Sequence, residues 1–114
     1  MDNCLFCRII KGEVPSKKVY EDGDVLAFED INPQAPVHIL IIPKKHIESV
    51  SGIKEEDAAA AGRLLIAAGK IAADRAADKA GYRVVFNTGA DAGQAVFHIH
   101  AHLLAGRKMA WPPG

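Results

Sequence analysis

The chain carries no net charge: 14 Lys and Arg balance 14 Asp and Glu across 114 residues. A domain that binds duplex nucleic acid draws most of its affinity from phosphate neutralisation and needs a basic excess, so nucleic acid is not an expected partner. Long hydrophobic runs are missing as well. The longest strongly apolar stretch, Ile39-Leu40-Ile41-Ile42, is far shorter than the roughly 20 residues that span a bilayer, and no membrane partner is expected. The opening Met1-Asp2-Asn3-Cys4 has no basic segment leading into an apolar one, so the expectation is a cytoplasmic protein without a targeting segment. Cysteine is scarce: Cys4 and Cys7 form one C-x-x-C, too close together to staple distant parts of a fold. In a reducing compartment such a pair is more often a metal ligand set or a redox centre than a structural disulfide. Repeats, low-complexity linkers and long charge blocks are absent too, and the length predicts one domain over residues 1–114. With 49% hydrophobic and 25% charged residues the composition excludes disorder. A core of this size is modest, so a metal or a partner subunit is a reasonable supplement.

What is present divides into short elements. Leu5 to Lys11 predicts a short helix, with Gly12 ending it and Pro15 beyond. Lys18 to Tyr20 and Val25 to Phe28 predict two strands around the turn Glu21-Asp22-Gly23-Asp24. Val37 to Ile42 is a continuous apolar, β-branched run, expected as a buried strand that Pro43 closes. One long helix is predicted over Glu55 to Ala80, with acidic residues in its first turn and Gly81 as its left-handed cap. Ala61, Leu64, Leu65, Ala68, Ile71 and Ala72 form its apolar stripe, and Gly62 and Gly69 predict a close approach of the sheet. Tyr82 to Phe86 and Phe97 to Leu104 complete the strands, with a Gly-containing loop from Asn87 to Gln94 between them. The pattern predicts an α+β fold: a five-stranded antiparallel sheet with one long and one short helix.

The chemistry is concentrated in Phe97-His98-Ile99-His100-Ala101-His102-Leu103-Leu104. On a strand, alternate side chains share a face, so His98, His100 and His102 point one way with about 6.6 Å between neighbouring Cβ atoms. Phe97, Ile99, Ala101 and Leu103 then face the core. Three imidazoles on one face serve stability poorly, whether in solvent or in a core without partners. They suit either a metal or a phosphate, since neutral histidine is a nucleophile near neutral pH. The loop favours phosphate: Gly89 and Gly93 allow backbone N–H groups to turn toward an anion. The remaining two of the five histidines, His38 and His46, flank the apolar strand, so all five can converge.

The His98-x-His100-x-His102 motif, with apolar residues in its gaps, resembles the signature of the histidine triad (HIT) family. The resemblance extends upstream over Phe28-Glu29-Asp30-Ile31-Asn32-Pro33-Gln34-Ala35-Pro36, His38 and Pro43-Lys44-Lys45-His46. Asn87 through Gln94 resembles the family's phosphate loop. Gly106-Arg107 through Trp111-Pro112-Pro113-Gly114 resembles the tail of its nucleoside phosphoramidase branch.

That resemblance implies roles. His100 corresponds to the nucleophile that attacks the α-phosphorus of a nucleotide, giving a nucleotidyl-histidine that water then hydrolyses. His102 would stabilise charge on the phosphoryl oxygens, and His38 would fix tautomer and ring orientation from behind so that one nitrogen of His100 keeps its lone pair. Asp30 falls where the family grips the ribose hydroxyls; as an isolated residue it would simply cap its loop. Phe6, Ile9, Phe28, Ile31 and Leu40 fall at base-pocket positions, and Asn87, Gly93, Gln94 and Ala95 in the phosphate-contacting loop. Ala95 departs from the serine common in phosphoramidase relatives, which removes a hydroxyl donor. Cys4, Cys7, His46 and His98 match the zinc ligands of some bacterial HIT proteins, a closed set that would make zinc structural and leave His100 free. Trp111 either anchors the tail in a buried contact or reaches toward a partner subunit's site. Lys44 and Lys45 are expected as a solvated charge pair. The implied protein is a C2 homodimer whose sheets join, hydrolysing purine nucleoside phosphoramidates to nucleoside monophosphate and amine. A dinucleoside polyphosphate substrate and a nucleotide- or zinc-binding scaffold are the alternatives.

Overall fold

The computed structural model describes residues 3–114. Its elements run α1 (Leu5–Ile10), β1 (Lys18–Glu21), β2 (Val25–Glu29), β3 (Val37–Pro43), α2 (Ala58–Asp74), β4 (Tyr82–Phe86) and β5 (Ala101–Ala105). The strands form one antiparallel sheet in the order β1-β2-β3-β5-β4. Among the described residues no helix is long and apolar enough to cross a membrane.

Both faces of the sheet are covered, which is why β3 is apolar at almost every position. Because strand side chains alternate, Val25 and Ala27 on β2, Ile39 and Ile41 on β3, and Leu103 on β5 meet Leu64, Ala68 and Ile71 of α2 in one core. Leu26, Phe28, Leu40 and Ile42 face the other way and pack on Phe6 and Ile9 of α1. His38 and His102 share that second face. His102 lies opposite Leu40 in the ladder and His38 opposite Leu104, which brings the two histidines together diagonally across β3 and β5.

Several expectations need correction. The fifth strand begins at Ala101, not Phe97, because residues 97–100 leave the ladder and Ile99 N–H instead donates to the Ile47 carbonyl at 2.6 Å. Phe97 consequently faces outward, 56% exposed, rather than into the core. The long helix is shorter at both ends. Glu55–Asp57 is a 3₁₀ turn, in which Asp57 accepts from the Lys54 amide at 3.0 Å. At the other end the left-handed residue is Ala76 (φ 55°), not Gly81. The Ala77 N–H donates to the Ala72 carbonyl at 2.8 Å and the Ala76 N–H to that of Ala73 at 3.0 Å, a Schellman closure. Leu65 lies off the buried stripe, 57% exposed, and a Cβ on Gly62 would meet nothing within 4 Å, so no sheet approaches there. Trp111 is 82% exposed and is not a buried anchor. Lys44 pairs with Glu21 at 2.9 Å and Lys45 with the buried Asp57, so each has its own carboxylate.

Candidate active site

The five histidines do converge, in a chain of ring contacts that runs between two adjoining centres. His46 lies 4.9 Å from His98, His100 lies 5.0 Å from His102, and His102 lies 5.2 Å from His38, measured between ring centroids. Phe6 of α1 bridges the two groups, edge-on to His98 at 5.9 Å and to His100 at 5.1 Å.

Each ring's partners determine which nitrogen carries its proton, since a carbonyl only accepts and a backbone N–H only donates. His100 Nδ1 lies 2.9 Å from the His98 carbonyl, so it holds the proton and Nε2 keeps the lone pair. The Gln34 amide donates to His38 Nδ1 at 3.0 Å, which puts the proton of His38 on Nε2. That N–H donates to His102 Nδ1 at 2.9 Å and faces Asp30 Oδ2 at 3.4 Å. His102 is left with its proton on Nε2, so His38 sets the tautomer of His102 and not, as expected, that of His100, which the His98 carbonyl sets. The result is one free lone pair on His100 and one free N–H on His102, side by side. Burial holds His102 in its neutral form, with a pKa pushed down to about 4, reinforced by the charges that His100 and His38 would carry if protonated. Burial lowers His38 too, against the opposing pull of Asp30.

His100 and His102 open on a cavity of about 550 Å³. Phe6, Ile9, Phe28 and Leu40 form its apolar wall, with Phe6 and Phe28 in edge contact at 5.5 Å. Asp30, Asn87, Gly93, Ala95, His100 and His102 supply the polar side, and Ile31 stands fully exposed at the rim. Asp30 both caps its loop, accepting from the Asn32 amide at 2.8 Å, and presents its other oxygen beside His38. Gln94 alone of the residues predicted for nucleotide contact does not line the cavity. Its side chain is buried, accepting from the Gly89 amide at 3.0 Å and donating to the carbonyls of Glu48 (2.8 Å) and Val96 (3.1 Å), so it holds the loop in shape.

The loop's amides differ from expectation. Gly89 and Gly93 have φ of 85° and 83° as the turn requires. Yet the amides of Gly89, Gly93 and Gln94 are all spent inside the loop. Among the described residues the Ala95 and Val96 amides have no such partner, and they border the cavity. Val96, Leu5 and the connecting segment Val14-Pro15-Ser16-Lys17 also line it, and sequence reasoning missed them. Nothing in a surface connection or a single valine signals such a role. The carbonyls of His98 and Pro43, which set ring tautomers, belong to the main chain and leave no sequence mark.

The second centre contains Cys4, Cys7, His46 and His98. His98 Nε2–H donates to the Pro43 carbonyl at 2.8 Å, which turns its Nδ1 lone pair toward the cysteines. Nδ1 lies 3.5 Å from Cys4 Sγ, 3.6 Å from Cys7 Sγ and 3.1 Å from His46 Nδ1; His46 Nδ1 lies 3.3 Å from Cys7 Sγ. Tetrahedral zinc requires edges of about 3.6 Å between sulfur and nitrogen and about 3.3 Å between nitrogens. The residues fit the ion. Burial pushes the Cys7 thiol up, so a cation is what would hold it as thiolate. Asp30, His38 and His102 also converge, but His38 Nε2 already carries a proton fixed by the Gln34 amide. A metal there would have to break that hydrogen bond, so this group is a proton-positioning set.

The HIT domain family pattern matches residues 11–109. A 14 kDa zinc-binding protein of Zea mays is 52% identical over 112 residues, 96% of this chain and 87% of that one. The crystal structure of a HIT family hydrolase from Legionella pneumophila superposes with a TM-score of 0.96 at 52% identity, covering 98% of this chain and all of that one. That of a histidine triad nucleotide-binding protein from Candida albicans gives 0.83 at 35% identity, over 96% and 83% of the two chains.

Proposed function

The chain belongs to the HIT family, and from that premise we propose that it is a hydrolase of purine nucleoside 5′-phosphoramidates, acting as a single HIT domain. The observation that carries this reading is the lone pair on His100 Nε2, held by the His98 carbonyl at the border of a cavity whose apolar wall suits a base. The base would lie against Phe6, Ile9, Phe28, Ile31 and Leu40, with the ribose hydroxyls on Asp30. The phosphoryl oxygens would take hydrogen bonds from His102 Nε2–H and the unpaired Ala95 and Val96 amides.

His100 Nε2 attacks phosphorus and forms a P–N bond while the bond to the substrate nitrogen breaks. The departing nitrogen takes a proton from solvent, since Ala95 offers no hydroxyl, and leaves as the amine. Water then adds to phosphorus and gives up a proton to solvent, the bond to His100 breaks with its electron pair returning to Nε2, and the nucleoside monophosphate departs. His38 keeps the acceptor side of His102 occupied throughout, so that His102 always presents a proton to the phosphate.

Zinc at Cys4, Cys7, His46 and His98 is the cofactor we assign, and the name of the maize relative supports it. Four protein ligands would close its coordination, so zinc would tie α1 to the segment before β5 and take no part in the bond-breaking step. The test is release of adenosine monophosphate from adenosine 5′-phosphoramidate, by the protein and its His100→Ala variant, with chelator present. Chelator-resistant turnover that disappears in the variant is expected. A folded, nucleotide-binding protein without turnover would sink the reading.

A further inference from the structure

A second cavity, about 420 Å³, adjoins the first and shares Leu5, Ala95 and Val96 with it as common wall. Cys4 and His46, two of the residues assigned to zinc, form part of its wall, and the reaction above leaves the remainder unused. With the nucleoside filling the larger space and phosphorus at His100, the departing group needs a path of its own. Ala95 marks that path, because it lines both cavities and its side chain is only a methyl. The second cavity has a distinct chemistry. Glu48 is the one carboxylate lining it, and no Lys or Arg does so among the described residues. Glu48 is exposed, and its carboxylate makes no hydrogen bond or ion pair among the described residues; only its backbone carbonyl is engaged, by Gln94. Phe97, turned outward where the chain leaves the ladder, offers an open aromatic face in the same cavity. A free carboxylate beside an open ring is a site for an organic cation.

We infer that this cavity is a leaving-group subsite selective for amines that carry a second, protonated amino group. Glu48 pairs with that distal ammonium, and Phe97 covers the methylenes leading to it. The inference rests on the phosphoramidase reading for its substrate class. The P–N bond broken is the one to the proximal nitrogen; the distal ammonium is unchanged by the reaction.

Two adenosine 5′-phosphoramidates test it, one made from 1,4-diaminobutane and one from n-butylamine, differing only in the terminal ammonium. One exposed ion pair plus one exposed cation–ring contact predicts a kcat/KM about tenfold higher for the diamine compound. Glu48→Gln should abolish that preference while leaving the butylamine compound's rate unchanged, and Glu48→Lys should reverse it. Equal rates in the wild type, or a preference that survives Glu48→Gln, would overturn the subsite. If neither compound is hydrolysed, the phosphoramidase reading fails separately. Calorimetric affinities for the two compounds then decide the subsite: tighter binding of the diamine form that Glu48→Gln removes supports it, and equal affinities overturn it.

Discussion

At the scale of single residues the site works by proton placement. A histidine row offers three rings of the same intrinsic chemistry; their separate tasks come from what each ring's second nitrogen touches. The His98 carbonyl leaves His100 Nε2 with a free lone pair, the Gln34 amide acting through His38 leaves His102 Nε2 with a free proton, and the Pro43 carbonyl turns the His98 Nδ1 lone pair toward the cysteines. The arrangement has a thermodynamic consequence. His102 stays neutral in the folded protein down to about pH 4, whereas in the unfolded chain it gains a proton near its ordinary value of 6.5. Between those values the unfolded state binds more protons, so stability is complete above pH 6.5 and falls as the pH drops toward 4. Thermal unfolding in chelator from pH 7.5 to 4.5 should show that decline. His102→Gln should flatten it by up to about 1.4 kcal/mol per pH unit, the limit for one proton. An unchanged slope in the variant would mean that other groups carry the acid sensitivity.

Elements place those residues, and their ends are where sequence and structure part. The unbroken apolar stretches over β2 and β3 do form buried strands, because each position faces one of two covered sides. The end of α2 did not follow from the sequence, because the chain closes the helix with Ala76 in the left-handed region and glycine comes only at 81. An alanine there bears a steric penalty that glycine avoids, partly offset by glycine's larger freedom when unfolded. Ala76→Gly should therefore stabilise the protein by about 0.5–1 kcal/mol, and raise the melting temperature by roughly 3–6 °C for a chain of this size. A lower melting temperature would show that the Schellman closure tolerates alanine without strain. The late start of β5 was equally hidden. The period-two histidines suggested a strand through Phe97, but the Ile99 amide is claimed by Ile47, a partner about fifty positions away in the chain. What was legible were the side chains whose chemistry is unusual for a fold: the triad, the cysteine pair and Asp30 all line a centre. What was not legible was the main chain that orients them, since carbonyls and amides are the same at every position. The Ala95 and Val96 amides became visible as anion donors only once Gly89, Gly93 and Gln94 were seen to spend theirs.

At the scale of the whole molecule, one side of the protein is unfinished. The sheet has two edges, β1 and β4. The β1 edge is guarded by Lys18 and Glu21, charged residues paired with each other at 3.2 Å, the usual defence against strand addition. The β4 edge, Tyr82-Arg83-Val84-Val85-Phe86, carries a single charge, and Arg83 turns it toward the tail by donating to the Ala110 carbonyl at 2.9 Å. Tyr82 on that edge is 40% exposed, and its hydroxyl lies 4.0 Å from where a Cβ on Gly69 of α2 would be. From Gly69 the exposed face of α2 continues at helical spacing through Ile66, Leu65 and Gly62, the two large residues each 57% exposed. An open edge beside an apolar helix face is the geometry of an isologous interface. We propose that a second copy extends the sheet through β4 and covers α2 with its own α2, giving the homodimer that the family resemblance implies. Covering Leu65 and Ile66, each 57% exposed, contributes roughly 1–2 kcal/mol for each side chain, counted twice by symmetry. Sedimentation equilibrium at micromolar concentration should therefore give twice the chain mass of 12.2 kDa. The pair Leu65→Glu and Ile66→Glu should give the single mass with the fold retained by circular dichroism, because both side chains already face solvent within one chain. A wild type that sediments as a monomer would refute the interface. A double variant that remains dimeric would place the contact on some other face.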